Sequence, residues 1–192
     1  MEHPVPQPRQ REASLRTPAE SGFVIRYGAP GDATRLAQFA ARTFAESFRA
    51  QNRPEDVVAH EAANYSPALQ AAQLADPAMR NILMESPDRL VGYAQLRSHA
   101  PPAIVLDRPV ELWRFYVDRP FHGQGLAQRL MAAVHVAALE LGAATLWLGV
   151  WENNARGIAF YLKSGFVDMG TQYYRVGQDR QVDRIMVIAV RR

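Results

Sequence analysis

The sequence predicts a single α/β domain whose sheet combines an antiparallel part with at least one parallel crossover. The chain has 192 residues, which suits one hydrophobic core, since domains of about this size bury roughly 70% of their unfolded surface. Helical stripes and strand-like runs alternate along the second half of the chain, which is the pattern of a crossover. The composition, 48% hydrophobic and 21% charged residues, is typical of folded globular proteins.

The first part of the chain predicts a tail, one strand and two helices. Residues 1–21 contain four prolines and mixed charges, so we expect a disordered or loosely attached tail and assign the domain to residues 22–192. Phe23–Tyr27 is a strand-like run that ends in turn residues. Apolar residues at helical spacing predict a helix over 33–50, and a second helix begins at Pro54 and runs towards Tyr65.

The rest of the chain predicts strands separated by two helices. The link Ser86–Arg89 suits a hairpin loop, so the strands on either side of it are expected to pair antiparallel. Gly142 follows an apolar stripe and is expected to end that helix. The predicted strands are 81–85, 90–97, 109–117, 145–151, 166–174 and 182–190, the last two linked by Gly177–Asp179, and the predicted helices are 125–141 and 153–164. The expected sheet has six or seven strands, flanked by about four helices.

Composition also excludes several kinds of protein. The chain has no cysteine, which excludes disulfides, thiolate zinc sites, iron–sulfur clusters and acyl-cysteine intermediates. No apolar stretch reaches the roughly 18 residues of a membrane span, and the N-terminal residues lack the apolar core of a signal peptide, so we expect a cytoplasmic protein without membrane contact. The net charge of +3 is spread along the chain and the five histidines lack ligand spacing, so neither a nucleic-acid partner nor a metal is expected.

A glycine-rich segment carries the clearest functional signal. Gly123-Gln-Gly125 lies between a predicted strand and a predicted helix, where free main-chain N–H groups and the helix dipole favour an anion such as phosphate. A tight turn without a ligand explains the same glycines equally well. A dinucleotide fingerprint requires a third glycine where Gln128 stands, and a P-loop requires one where Leu162 stands, so both motifs are excluded.

Two motifs together resemble the GNAT superfamily of acetyl-coenzyme A-dependent N-acetyltransferases. The first is His122-Gly-Gln-Gly-Leu-Ala127, and the second is Asn154 followed by Ala159-Phe-Tyr-Leu-Lys-Ser-Gly-Phe166. The resemblance covers about residues 23–190, and Glu111–Val117 with Leu148–Asn154 is most similar to the polyamine N-acetyltransferase branch. It implies a mostly antiparallel sheet with a central, splayed parallel pair.

The resemblance also implies roles for particular residues, with acetyl-coenzyme A as cosubstrate. The residues that match its binding positions are Phe115, Tyr116, Val117, His122, Gly123, Gln124, Gly125, Leu126, Ala127, Gln128, Asn154 and Tyr161. Tyr161 matches the general acid beside the thioester sulfur. Glu111 is the candidate base, and a strand-end carboxylate paired with an arginine is an equally good interpretation. The chain departs from the family pattern at His122, usually Gln or Arg, and at Gly157, usually Ala.

The acceptor is less well defined by the sequence. We expect a primary amine of a small molecule, such as a polyamine, an aminoglycoside or an amino acid, which Glu46, Asp56 and Glu61 on the first two helices could attract. Trp113, Trp147 and Trp151 are expected to pack in the core or on the sheet face and not to stack on a ligand. The alternatives are a non-catalytic coenzyme A-binding module and an acetyltransferase of protein N-termini or lysines. Dimers are common in the family, so a homodimer is possible.

Overall fold

A seven-stranded mixed sheet forms the centre of the computed structural model, which describes residues 22–49, 52–101, 103–176 and 179–191. The strands are β1 (Val24–Tyr27), β2 (Met79–Glu85), β3 (Leu90–Arg97), β4 (Pro109–Val117), β5 (Thr145–Trp151), β6 (Val167–Val176) and β7 (Asp179–Ala189). The helices are α1 (Ala33–Phe48), α2 (Pro54–Asn64), α3 (Pro67–Ala75), α4 (Leu126–Glu140) and α5 (Ala155–Lys163). The predicted mixed sheet is confirmed.

The sheet consists of two antiparallel halves joined by one parallel pair. Its strand order is β1-β2-β3-β4-β5-β7-β6, and only β4 and β5 run parallel. These two strands pair at three positions, of which Glu111 with Trp147 is the last. Beyond that point β4 continues along β3 as far as Val117, and β5 continues along β7 as far as Trp151. The two halves therefore separate into an open split at one end of the molecule.

Both faces of the sheet are covered, which explains the almost unbroken apolar runs of β2 and β3. Ile82 and Met84 belong to a core that includes the buried stripe of α4, whereas Leu83 belongs to a second core with α1. The alternation follows from the period of two in a strand, which sends successive side chains to opposite faces. These strands are thus fixed between α4 on one face and α1 on the other.

One helix was not predicted, and its composition explains why. In α3 the hydroxyl of Ser66 accepts a hydrogen bond from the Leu69 N–H (3.2 Å), and Pro67 occupies the first turn. This helix buries the amides of Gln70 and Gln73 instead of an apolar stripe, so hydrophobic periodicity gives no signal for it. Buried amides are stable only when hydrogen-bonded, and here the Gln95 amide nitrogen donates to both glutamine oxygens at 3.2 Å.

Two other predictions concern parts of the chain outside the described residues. These are the tail at 1–21 and the link through Gly177 and Gln178. None of the helices in the described residues combines the length and the apolar content that crossing a bilayer requires.

Candidate active site

Two clefts and a space between them lie at the split. The first, here called the glycine cleft, has a volume of about 530 Å³ and is lined by Phe115–Val117, by the loop that precedes α4 and by the first two turns of α5. The second, the aromatic cleft, has about 260 Å³. The junction between them has about 310 Å³ and shares Tyr161 with the first and Trp151 with the second. Two ligands can therefore meet at the split from opposite sides.

Main-chain conformation shapes the loop in the glycine cleft where an anion was expected. Gly123 and Gly125 both have φ of +78°, a left-handed conformation that other residues rarely adopt. Gly125 directly precedes α4, and no side chain caps that helix. The N–H groups of Leu126, Ala127 and Gln128 belong to the first turn and have no helical acceptor. A Cβ built at either glycine would meet no atom within 4 Å, so the surface of the loop is open to a ligand.

The predicted loop residues differ in what they face. Gly123, Gly125, Leu126, Ala127 and Gln128 line the cleft, as do the three predicted residues of β4 and both Asn154 and Tyr161. Gln124 does not line it, because its amide nitrogen donates back to the Pro120 carbonyl at 3.0 Å.

His122 connects three parts of the site. Its Nε2 lies 2.7 Å from the Val117 carbonyl oxygen, and its Nδ1 lies 2.7 Å from Nη1 of Arg156. A carbonyl only accepts and a guanidinium only donates, so the neutral ring carries its proton on Nε2. The residue that departs from the family pattern thus joins the end of β4 to α5 and orients Arg156 at the cleft. Sequence reasoning missed Arg156, although a cation in the first turn opposes the helix dipole and is a usable signal.

The second departure, Gly157, is explained by Asn154. The Asn154 side-chain oxygen accepts a hydrogen bond from the Gly157 N–H at 2.9 Å and so caps α5. A Cβ built on Gly157 would lie 2.7 Å from Nδ2 of Asn154, so the glycine makes room for this folded-back amide. The Nδ2 group has no hydrogen bond among the described residues and is available to a ligand of the glycine cleft.

Tyr161 lies where the glycine cleft meets the junction. Its ring is half-buried against Phe160 and Phe166, at centroid distances of 5.4 and 5.7 Å. Burial raises the pKa of the Tyr161 phenol well above its usual value, because the charged phenolate is poorly solvated there. The phenol therefore stays protonated at neutral pH and can donate a proton.

Glu111 lies on the other side of the split, in the wall of the aromatic cleft. It is 7% exposed, and its Oε2 accepts a hydrogen bond from Nε of Arg97 at 2.6 Å. This is the expected pairing of a strand-end carboxylate with an arginine. The Arg97 guanidinium therefore occupies one oxygen of this carboxylate.

Side chains from distant parts of the chain form the aromatic cleft. Trp147 is buried, as predicted, and its indole N–H donates to the His99 carbonyl at 2.7 Å. Trp113 and Trp151 are half-buried and line the cleft together with Tyr173. Arg114 lies 3.8 Å from the Trp113 ring centre. This cleft has the walls of a binding site for a small organic molecule, and the sequence did not predict it.

Two of the three helix carboxylates that were expected to attract an acceptor are paired with arginines. Glu46 pairs with Arg42 at 2.9 Å, and Asp56 pairs with Arg53 at 3.0 Å. Glu46 lines the glycine cleft, whereas the described lining of the aromatic cleft includes none of Glu46, Asp56 and Glu61.

Comparison with known proteins gives consistent matches. Residues 37–166 match the model of the acetyltransferase (GNAT) family. A Mycobacterium tuberculosis H37Rv protein, described as an uncharacterised N-acetyltransferase, is 38% identical over 156 residues, which are 81% of this chain and 96% of that protein. The PaiA N-acetyltransferase of Thermoplasma acidophilum, solved with coenzyme A, has the same fold, with a TM-score of 0.71 and 17% identity over 87% of this chain and 98% of that one.

Proposed function

The chain belongs to the acetyltransferase (GNAT) family, and from this membership we propose that it transfers the acetyl group of acetyl-coenzyme A to a primary amine of a small molecule. The observation that carries the proposal is the split between β4 and β5, which joins an open anion site to a second cleft with aromatic walls. The two substrates are expected to enter from opposite sides and to react directly in a ternary complex.

The glycine cleft suits acetyl-coenzyme A. The N–H groups around Gly123 and of the first turn of α4 are suited to the pyrophosphate, and Arg156 adds a cation to the same cleft. The inner edge of β4 from Phe115 to Val117 has main-chain groups without a partner strand, and these can bond the amide-rich arm of the cosubstrate. Asn154 supplies a further donor. The PaiA structure, whose protein has the same fold, contains coenzyme A.

The chemistry follows from what surrounds the split. The acceptor nitrogen attacks the thioester carbonyl carbon, main-chain N–H groups of β4 stabilise the negative charge that develops on oxygen, and Tyr161 protonates the departing thiolate. Fixing the two reactants in attack geometry contributes about 7–11 kcal/mol to lowering the barrier. Glu111 remains a candidate base in this scheme, and its ion pair with Arg97 weakens the case for it.

The volume of the aromatic cleft favours a small acceptor. Its roughly 260 Å³ matches a polyamine or amino-acid-like molecule better than a folded protein surface. The polyamine-like branch remains a proposal within this class. A non-catalytic coenzyme A-binding module is disfavoured by the position of Tyr161, which lies where the glycine cleft meets the junction.

Calorimetric titration with acetyl-coenzyme A, followed by thiol release on adding amines, tests the proposal. The amine panel consists of spermidine, kanamycin and a lysine peptide. We expect binding, and thiol release with one class of amine. Binding without thiol release would favour the non-catalytic module, and absence of binding would refute the assignment of the glycine cleft.

A further inference from the structure

Asp183 differs from the other carboxylates around the split. It lies on β7 in the wall of the aromatic cleft, is 8% exposed, and its side chain makes no hydrogen bond or ion pair with any residue that the structure describes. Glu111 in the same cleft pairs with Arg97, and Asp168 on the neighbouring strand pairs with Arg184. Burying a carboxylate without a partner costs free energy, so a ligand that supplies the missing donors is the expected compensation.

A second buried acceptor belongs to a residue that is paired with Asp183 in the sheet. Gln172 and Asp183 are register partners on β6 and β7, and the Gln172 side-chain oxygen is buried without a hydrogen-bond partner in the described chain. A Cβ built on Gly149 would lie 2.7 Å from Nε2 of Gln172 and 3.0 Å from Oδ2 of Asp183. The glycine therefore leaves space for both side chains over β5.

The surroundings of these two acceptors suit a positive charge on an alkyl chain. Trp151 is the register partner of Asp183 on β5, and Trp113 and Tyr173 line the same cleft. Aromatic faces attract cations and pack against methylene groups. The other charged or titratable groups in the wall are Arg97, which pairs with Glu111, together with Arg114, His60, His99, Tyr65 and Tyr116. Arg114 donates to the amide oxygens of Gln73 and Gln95.

We propose that Asp183, together with the Gln172 oxygen, binds the protonated amino group of the acceptor and takes up the proton that the amine must lose. This inference rests on the proposed function and specifies its substrate as an alkylammonium compound. One proton passes from R–NH₃⁺ to the Asp183 carboxylate, and the free amine then forms the C–N bond as the C–S bond of the thioester breaks. The second proton of the nitrogen replaces the one that Tyr161 gives to the thiolate, and Asp183 returns its proton to solvent.

The titration behaviour of Asp183 agrees with this role. Burial raises the pKa of its carboxyl to about 6, so the group is a carboxylate at neutral pH and a stronger base than an exposed aspartate. A base with such a pKa is ionised at working pH and still accepts a proton readily.

Asp183→Asn keeps the shape of the side chain and removes its charge, so it tests the proposal directly. We expect kcat/KM for the amine that the panel selects to fall at least about 100-fold, and the Kd for acetyl-coenzyme A to stay within about twofold. In the wild type, kcat/KM should fall as the pH drops through about 6. This acid limb of the plot of kcat/KM against pH should be absent from Asp183→Asn. Glu111→Gln is the matched variant and should keep the limb.

Either of two kinetic results would overturn the proposal. One is a wild-type rate and pH profile in Asp183→Asn, and the other is loss of the acid-side fall in kcat/KM in Glu111→Gln alone. Binding of 1,4-diaminobutane, compared with the uncharged 1,4-butanediol, separates this inference from the proposed function. If no amine releases thiol, the proposed function fails, yet diamine binding that needs Asp183 and is absent for the diol still supports the site. Equal binding of the diamine to wild type and Asp183→Asn would refute it.

Discussion

The glycine cleft and the aromatic cleft lie on opposite sides of one split, but they are built differently. Two short stretches of sequence, 115–128 and 154–161, supply most of the glycine cleft, and its central feature is main-chain geometry. The aromatic cleft is formed by individual side chains that come from α1, α2 and five strands. The comparison indicates that the first cleft depends on backbone conformation, whereas the second depends on the identity of individual side chains.

The largest expected effect is that of Gly125→Val, which tests whether ligand binding in the glycine cleft depends on backbone conformation. A β-branched residue at φ +78° is strained, and its side chain would extend into the open anion site. Losing two charge-assisted main-chain hydrogen bonds, each contributing about 1.5 kcal/mol or more, should weaken acetyl-coenzyme A binding by about 100-fold or more in a calorimetric titration.

Gly142→Val is the control for that variant. Gly142 follows α4 with φ of +74° and open space around it, so it carries the same strain away from both clefts. Its Kd for acetyl-coenzyme A should stay near the wild-type value while stability falls by about 1–2 kcal/mol. Equal loss of affinity in both variants would show that strain, and not the anion site, caused the effect.

The next prediction concerns the stability of the folded protein. It tests how much the buried, unpaired carboxylate of Asp183 in the aromatic cleft destabilises the fold. The pKa of Asp183 is about 6 in the folded chain and about 3.9 in an unfolded one. The folded state therefore loses stability as the pH rises from about 4 to about 7. Asp183→Asn removes this loss, so its unfolding free energy should exceed that of the wild type by up to about 3 kcal/mol at pH 7.

Urea unfolding at pH 4 and pH 7 measures this difference. Asp168→Asn, which removes an aspartate paired with Arg184 on the neighbouring strand, should show no gain in stability at pH 7. If Asp183→Asn were less stable than the wild type at pH 7, the carboxylate would have a structural partner, and the contrast between the two clefts would be lost.

The smallest expected effect is that of Tyr161→Phe, at the border of the two clefts. Loss of the proton donor should lower kcat about 10- to 100-fold, with little change in the Kd for acetyl-coenzyme A, because the ring contacts remain. Thiol release and calorimetry measure the two quantities. Tyr93→Phe is the control, since its hydroxyl is buried without a hydrogen-bond partner in the described chain, and unchanged kcat in both variants would remove Tyr161 from the mechanism.

The same contrast explains what could be predicted from sequence. The strands, the anion loop, Asn154 and Tyr161 were predictable because contiguous motifs encode them, and local residue order dictates local backbone conformation. Helix α3 was not, because it buries Gln70 and Gln73 in an amide network in place of an apolar stripe. Asp183 could not be recognised from sequence, because its surroundings are formed by Gly149, Gln172 and Trp151, which lie on other strands.

The three-position pairing of β4 with β5 also affects how the molecule moves. Between the two halves of the sheet, hydrogen bonding is confined to the closed end of the split, so β4 from Leu112 to Val117 has an unpaired edge in the interior of the molecule. We expect the two halves of the sheet to move relative to each other about this closed end. A ligand whose amide groups form hydrogen bonds to that edge takes the place of a neighbouring strand. Its binding should restrict motion between the two halves of the sheet and slow hydrogen exchange of the main-chain amides in both.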